Sequence, residues 1–126
     1  MLHLVKPLGF DMDDAKLRRA GLDYHDLAHV KVHDSLDEAL ADVPGRVWAL
    51  TGHATTMYSD VSYADGDGLL FGRESVGLSE DAMRHPRVED RVRIQMVDGV
   101  RSLNLANSAS IVLYEAWRQL GFPNGV

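Results

Sequence analysis

Apolar and polar positions along this chain fall into short strand-like runs separated by stretches of helical period. Leu2 to Val5 is the first strand-like run, stopped by Pro7 and Gly9. Asp13 to Ala20 carries a helical pattern, with acidic residues in its first turn, Arg18 and Arg19 in its last, and Gly21 as C-cap. Ala28 to Val32 returns to strand periodicity. Ser35 to Asp42 predicts a short helix in which Ser35 and Glu38 form a capping-box pattern, and Pro44 and Gly45 end it. Arg46 to Thr51 predicts a strand. Gly52 to Asp67 has no clear period and is rich in Gly, Ser, Asp and Thr, which predicts a loop with little regular structure. Gly68 to Phe71 predicts a short buried strand, Ser79 to Met83 the start of a helix, and Val92 to Met96 another strand. Asn104 to Leu120 is the strongest helical pattern. Leu105, Ile111, Val112, Ala116 and Leu120 lie on or near one face, and Gly121 and Pro123 terminate it.

Alternation of strand and helix with short connections predicts an α/β domain with a mostly parallel sheet flanked by helices. Its 126 residues suffice for one domain with one core, and no repeat, low-complexity stretch or linker divides it, so residues 1–126 are read as a single domain. Composition changes this picture little. Hydrophobic residues make up 45% and charged residues 25%, as in ordinary globular proteins. No apolar run approaches the roughly 18 residues needed to span a bilayer. The start, MLHLVKPLGF, lacks the features of a signal peptide, so no membrane association is expected. The absence of cysteine excludes disulfides and thiolate chemistry and accords with a cytoplasmic location. A formal net charge of −6 argues against a generally basic nucleic-acid binder, so any RNA contact has to come from local patches. Lys16, Arg18 and Arg19 form one such cluster, whose plainer reading is a solvated helix face.

In parallel sheets ligands sit beyond the carboxyl ends of strands, which directs attention to the loops after Thr51, Phe71 and Met96. The loop Phe71 to Leu78 contains Gly72, which permits close backbone approach or positive φ, Glu74 in the turn, and Gly77. Alone it reads as a plain strand-to-helix connection. The loop after Met96 runs into the start of the long helix. Free N–H groups and the positive dipole end there suit an anion, and Ser102 and Asn104 are good capping residues as well as candidate ligand contacts. His25, His29 and His33 are spaced four apart, but Val30 and Val32 alternate with Lys31 and His33. On a strand those histidines do not converge, and no metal is expected.

Two stretches, LLFGRESVGLS and RIQMVDGVRSLNLANSASIVLYEAWRQLG, resemble the second and third motifs of the SpoU-type SPOUT methyltransferases. PLGFDMDDAKLRRAGLDYHDL further resembles the small enzymes of that family that methylate the ribose 2′-oxygen of the cytidine or uridine at the tRNA wobble position. The resemblance runs from about Leu2 to the C-terminus. It implies an α/β fold with a deep C-terminal trefoil knot, an exception to the un-knotted rule. It implies S-adenosylmethionine (SAM) as cofactor, S-adenosylhomocysteine as product and the tRNA anticodon stem-loop as partner. It also implies a homodimer through the last helix, whose apolar stripe has ordinary core packing as its other reading. By motif matching, SAM is expected at Leu50, Gly72, Ile94, Met96, Ser102 and Leu103. Catalysis is expected at Ser102 and Asn104, which position the reactants, and at Glu74, which orients or handles a proton. Arg18, Arg19 and His53 are the expected RNA contacts, His53 standing where the family has Lys or Arg nearby.

Gln95 replaces the proline of the family's I-P-M sequence, and Lys6 stands where a glutamate is often found. The family pattern also begins with a strand and helix carrying N-T-G-N and a functional arginine, whereas this chain starts at what resembles the second strand. A misassigned start codon or a shortened chain is the expected explanation. A degenerate paralogue, binding SAM or RNA as a partner subunit, is the alternative. The coding DNA upstream of Met1 separates them.

Overall fold

The computed structural model describes residues 2–5, 30–73, 77–96 and 104–126. The chain divides into two units, Met1–Asp42 and Val43–Val126. The helix expected over Asp13 to Ala20 lies outside the described residues.

In the first unit, β1 (Leu2–Val5) pairs in parallel with β2 (Val30–His33), Leu2 opposite Val30 and Val5 opposite His33. The second strand thus runs one residue past the expected Val32. α1 (Leu36–Ala41) follows, and the Ser35 half of the expected capping box is present: Glu38 N–H donates to Ser35 Oγ at 3.2 Å, while Glu38 Oε1 faces His33 Nδ1 at 3.5 Å. Ala39 and Leu40 are its buried residues. His33 is buried as well, and burial together with the neighbouring His33 ring lowers the pKa of His3 below its ordinary value.

The second unit holds a four-stranded sheet in the order β4 (Thr56–Met57), β6 (Val88–Arg93), β3 (Val47–Leu50), β5 (Gly68–Leu70), parallel throughout. β3 (Val47–Leu50) is an unbroken apolar run because both its faces are covered: Val47, Trp48 and Ala49 are all buried. β5 (Gly68–Leu70) flanks it on one side and β6 (Val88–Arg93) on the other. Trp48, Val61, Tyr63, Val92 and Val112 form the core cluster, the last from α3 (Leu105–Gln119). The short α2 (Glu80–Met83) lies where a helix was expected, and Ser79 caps it. Among the described residues no helix is long and apolar enough to cross a membrane.

Two expectations are corrected. The last strand is Val88–Arg93, not Val92 to Met96. Its first half carries Glu89, Asp90 and Arg91, which hide the strand from an apolar pattern. Glu89 is exposed, and the other two find partners at the surface: Thr56 Oγ1 donates to Asp90 Oδ2 at 3.1 Å, and Arg91 pairs with Glu80 at 3.3 Å. Gly52 to Asp67 is also more structured than its composition suggests. It contains β4 (Thr56–Met57), paired with Val92 and Arg93, and a 3₁₀ turn at Tyr58–Asp60. Two residues are too few to show a period.

Two polar side chains tie this segment down. Asp67 accepts from the Arg46 N–H at 2.9 Å, the Trp48 indole N–H at 3.0 Å and the Ala64 N–H at 3.0 Å. Burial raises its pKa, but those hydrogen bonds more than reverse the effect and hold the carboxyl below its usual range. Gln119 of α3 accepts from Tyr63 N–H at 2.9 Å and donates to the Val61 carbonyl at 2.8 Å, so its amide acts as a small piece of strand. Glu115 holds Gln119 in place at 2.7 Å. Hydrogen bonds from Arg118 and then Gln119 bring the Glu115 pKa down to about 2. Desolvation pushes the Tyr63 phenol up to about 12, its hydroxyl donating to the Tyr58 carbonyl at 2.6 Å.

Candidate cofactor and substrate site

Because β5, β3 and β6 are parallel neighbours, their carboxyl ends share one edge of the sheet. Four expected cofactor contacts, Leu50, Gly72, Ile94 and Met96, lie at or just beyond those ends. Leu50 closes β3, half-buried against the core, and Thr51 N–H extends the pairing to the Val92 carbonyl at 3.0 Å. Thr51 Oγ1 then accepts from His53 N–H at 3.3 Å, which turns the chain outward and leaves His53 exposed.

After β5, half-buried Phe71 packs on the core and Gly72 begins a tight turn. Gly77 N–H donates to the Arg73 carbonyl at 2.8 Å, with Gly77 at φ 70°. A Cβ at position 72 would collide with the backbone of Gly77 and Leu78. Glycine is needed there first of all because the chain's own backbone crosses it. Glu74 lies outside the described residues.

After β6, Ile94 is half-buried on the core, Gln95 is exposed and Met96 is half-buried. These residues leave the sheet, so backbone groups expected inside a strand belong instead to a loop. Ser102 and Leu103 lie outside the described residues, as do Arg18 and Arg19. Asn104 is the N-cap of α3: its Oδ1 accepts from Ala106 N–H at 2.8 Å and Asn107 N–H at 3.3 Å. Capping occupies the carbonyl of this side chain, and the Nδ2 amide is the end that remains to donate to a ligand.

Sequence reasoning missed Arg93 at the end of β6. Its Nε is the one buried side-chain polar atom without a hydrogen-bond partner among the described residues. A guanidinium donor left unpaired at the carboxyl end of a strand is a costly feature that an anionic oxygen relieves. Its only signal in the sequence was its position directly before Ile94.

This edge therefore carries half-buried Leu50, Phe71, Ile94 and Met96 at or just beyond the strand ends, with the loop backbone around Gly72 and the unpartnered Nε of Arg93. Apolar side chains suit a nucleobase, and a guanidinium N–H suits an anionic oxygen.

The chain is 48% identical over 126 residues to the tRNA (cytidine(34)-2′-O)-methyltransferase of Escherichia coli (strain K12), covering 99% of this chain and 80% of that protein. A solved structure described as structural insights into the 2-OH methylation of C/U34 on tRNA superposes with a TM-score of 0.82 and 41% identity, covering 95% of this chain and 78% of that one. The SpoU methyltransferase AviRb from Streptomyces viridochromogenes, solved in complex with AdoMet, superposes with a TM-score of 0.75 and 25% identity, covering 94% of this chain and 49% of that one. The fold is thus that of the SpoU methyltransferases, a mostly parallel sheet flanked by helices. The sequence model of the SpoU rRNA methylase family matches residues 1–114, and with these relatives beside it the chain belongs to that family.

Proposed function

We propose that this protein is an enzyme that methylates the ribose 2′-oxygen of the tRNA anticodon wobble nucleotide, with SAM as methyl donor and S-adenosylhomocysteine as product. The observation that carries this reading is the 48% identity, over 99% of this chain and 80% of the relative, to a bacterial enzyme named for methylating cytidine 34. The sheet edge fits the cofactor: half-buried Leu50, Ile94 and Met96 and the turn built on Gly72 would hold it, together with Ser102 and Leu103. When bound, SAM supplies an activated methyl group with a neutral thioether as leaving group. The protein's task is then to align the attacking hydroxyl and assist loss of its proton. Asn104 Nδ2 and Ser102 orient the ribose, and Glu74 orients it or accepts the proton. Arg93 gives its free Nε–H to an anionic oxygen of cofactor or substrate. Arg18, Arg19 and His53 contact tRNA phosphates.

The family model crosses the boundary between the two units, which supports reading residues 1–126 as one methyltransferase domain. A deep C-terminal knot accords with the sheet order, since β6 lies between the earlier strands β4 and β3. A homodimer through α3 accords with its exposed apolar side chains, Leu113 at 60% and Tyr114 at 62%. A tRNA substrate and a cysteine-free chain accord with the cytoplasm.

The test is incubation of the full chain with SAM carrying a labelled methyl group and unmodified tRNA bearing cytidine 34, followed by nucleoside mass spectrometry. The expected product is labelled 2′-O-methylcytidine at that position alone. Absence of transfer by a folded protein that binds S-adenosylhomocysteine would overturn the reading.

A further inference from the structure

The parallel register of β1 and β2 sets His3 opposite Lys31 and Val5 opposite His33, so the two histidines are diagonal neighbours on one face. His3 Nδ1 lies 2.9 Å from His33 Nε2, and the rings are stacked with centroids 5.1 Å apart. Asp42, the C-cap residue of α1, brings its Oδ2 to 3.9 Å from the same His33 Nε2. One ligand atom from each of the three residues lies within 4.8 Å of the others. The burial is graded, with His33 buried, His3 half-buried and Asp42 exposed, which leaves a path from solvent. On its far side, His33 Nδ1 faces Glu38 Oε1 at 3.5 Å. A carboxylate behind an imidazole is the outer arrangement that orients histidine ligands of metals.

We propose that His3, His33 and Asp42 form a binding site for a divalent transition-metal ion, zinc by its donor set, which clips β1, β2 and the end of α1 together. Two imidazoles and a carboxylate are donors that zinc takes in tetrahedral sites, and three protein ligands leave the fourth position to water. Two nitrogens sharing a tetrahedral zinc at ~2.1 Å stand about 3.4 Å apart, so rings now at 2.9 Å separate by about 0.5 Å. The proton in the His3–His33 hydrogen bond has to leave the metal-facing nitrogens. It moves by tautomer exchange to the other ring nitrogen, His33 then donating from Nδ1 toward Glu38. Lys31 Nζ, 3.5 Å from Asp42 Oδ2, is the resident cation that the ion displaces. The site uses none of the residues assigned to methyl transfer.

The experiment is a zinc titration of the chelator-treated full chain against a chromophoric chelator, with visible absorption of the cobalt(II) form reporting geometry. One ion per chain is expected, with tetrahedral cobalt absorption and a rise in thermal midpoint. Asp42→Asn and His3→Gln each lower affinity at least about tenfold, and Glu38→Gln lowers it by about tenfold through loss of the outer partner. Lys31→Met raises it several-fold, a gain that no loss of fold imitates. Asp42 and Lys31 are 41% and 54% exposed, so substituting them tests the site even where His3 variants unfold. No saturable binding by the folded wild-type chain would overturn the proposal. Binding unchanged in both Asp42→Asn and His3→Gln would assign the ion to other side chains and overturn it equally.

Discussion

Asn104 performs a structural and a proposed chemical task with opposite ends of one side chain, and substitution separates them. Asn104→Ala loses the cap and costs about 1 kcal/mol of stability, whereas Asn104→Asp keeps a capping oxygen and changes stability by less than about 0.5 kcal/mol. Methyl transfer is expected to fall in both, through kcat more than KM, because Asp offers no amide donor. Full activity in Asn104→Asp would show that capping is all the residue does. Asp67 and Glu115 set the acid response. Both carboxyls are held below their ordinary values, so the unfolded chain binds their protons first as pH drops. Their contribution is complete above the ordinary carboxylate range and is lost as pH falls from about 4.5 toward about 2, the range over which Glu115 is displaced. Urea midpoints measured through that window should decline less steeply in Asp67→Asn and Glu115→Gln than in wild type. Of these residue roles, the Ser35 cap was legible in the sequence because its partner is three positions away. Trp48, 19 residues from Asp67, and His3, 30 residues from His33, were not, because only the fold brings such pairs together.

At the scale of elements, the turn after β5 carries the sharpest expectation. Gly72→Ala drives a methyl group into the backbone of Gly77 and Leu78, so the turn must open. The body of the sheet, anchored by Val47, Val92 and Val112, has no part in that collision. Isothermal titration with S-adenosylhomocysteine is expected to show at least about a tenfold loss of affinity, with the circular dichroism spectrum retained. Unchanged affinity would remove the turn from the cofactor site. Most elements were readable from apolar periodicity, β3 above all, since a strand buried on both faces is an unbroken apolar run. β6 was read too late because a strand needs backbone pairing rather than apolar side chains, and Glu89 faces solvent while Asp90 and Arg91 find partners at the surface. β4 escaped altogether, since its pairing with Val92 and Arg93 is a property of β6 as much as of its own two residues.

At the scale of the whole molecule, the sequence was most informative through the order of its motifs, which identified the family where composition and net charge pointed nowhere. Periodicity misjudged how α3 divides its faces. Val112 is fully buried and Ala116 packs on the core, but Leu120, placed on or near the same stripe, is 41% exposed. Leu113 and Tyr114 face outward as well, and Trp117 packs edge-on against Tyr114 and Phe122 beside them. A helix apolar on two sides has more than one neighbour to satisfy. Leu113→Asp with Tyr114→Arg is therefore expected to convert a dimer to a monomer in multi-angle light scattering, without loss of helix signal. A wild-type chain that runs as a monomer at micromolar concentration would refute the dimer. The sheet order bears on the timing of synthesis. β3 and β4 emerge from the ribosome well before β6, yet β6 is the strand that stands between them. Until residues 88–93 are made, the two earlier strands have a vacant slot between them and exposed hydrogen-bonding edges. Docking of β4 into this sheet thus waits for residues 88–93, and a nascent chain stalled before Val88 presents unpaired edges prone to aggregation.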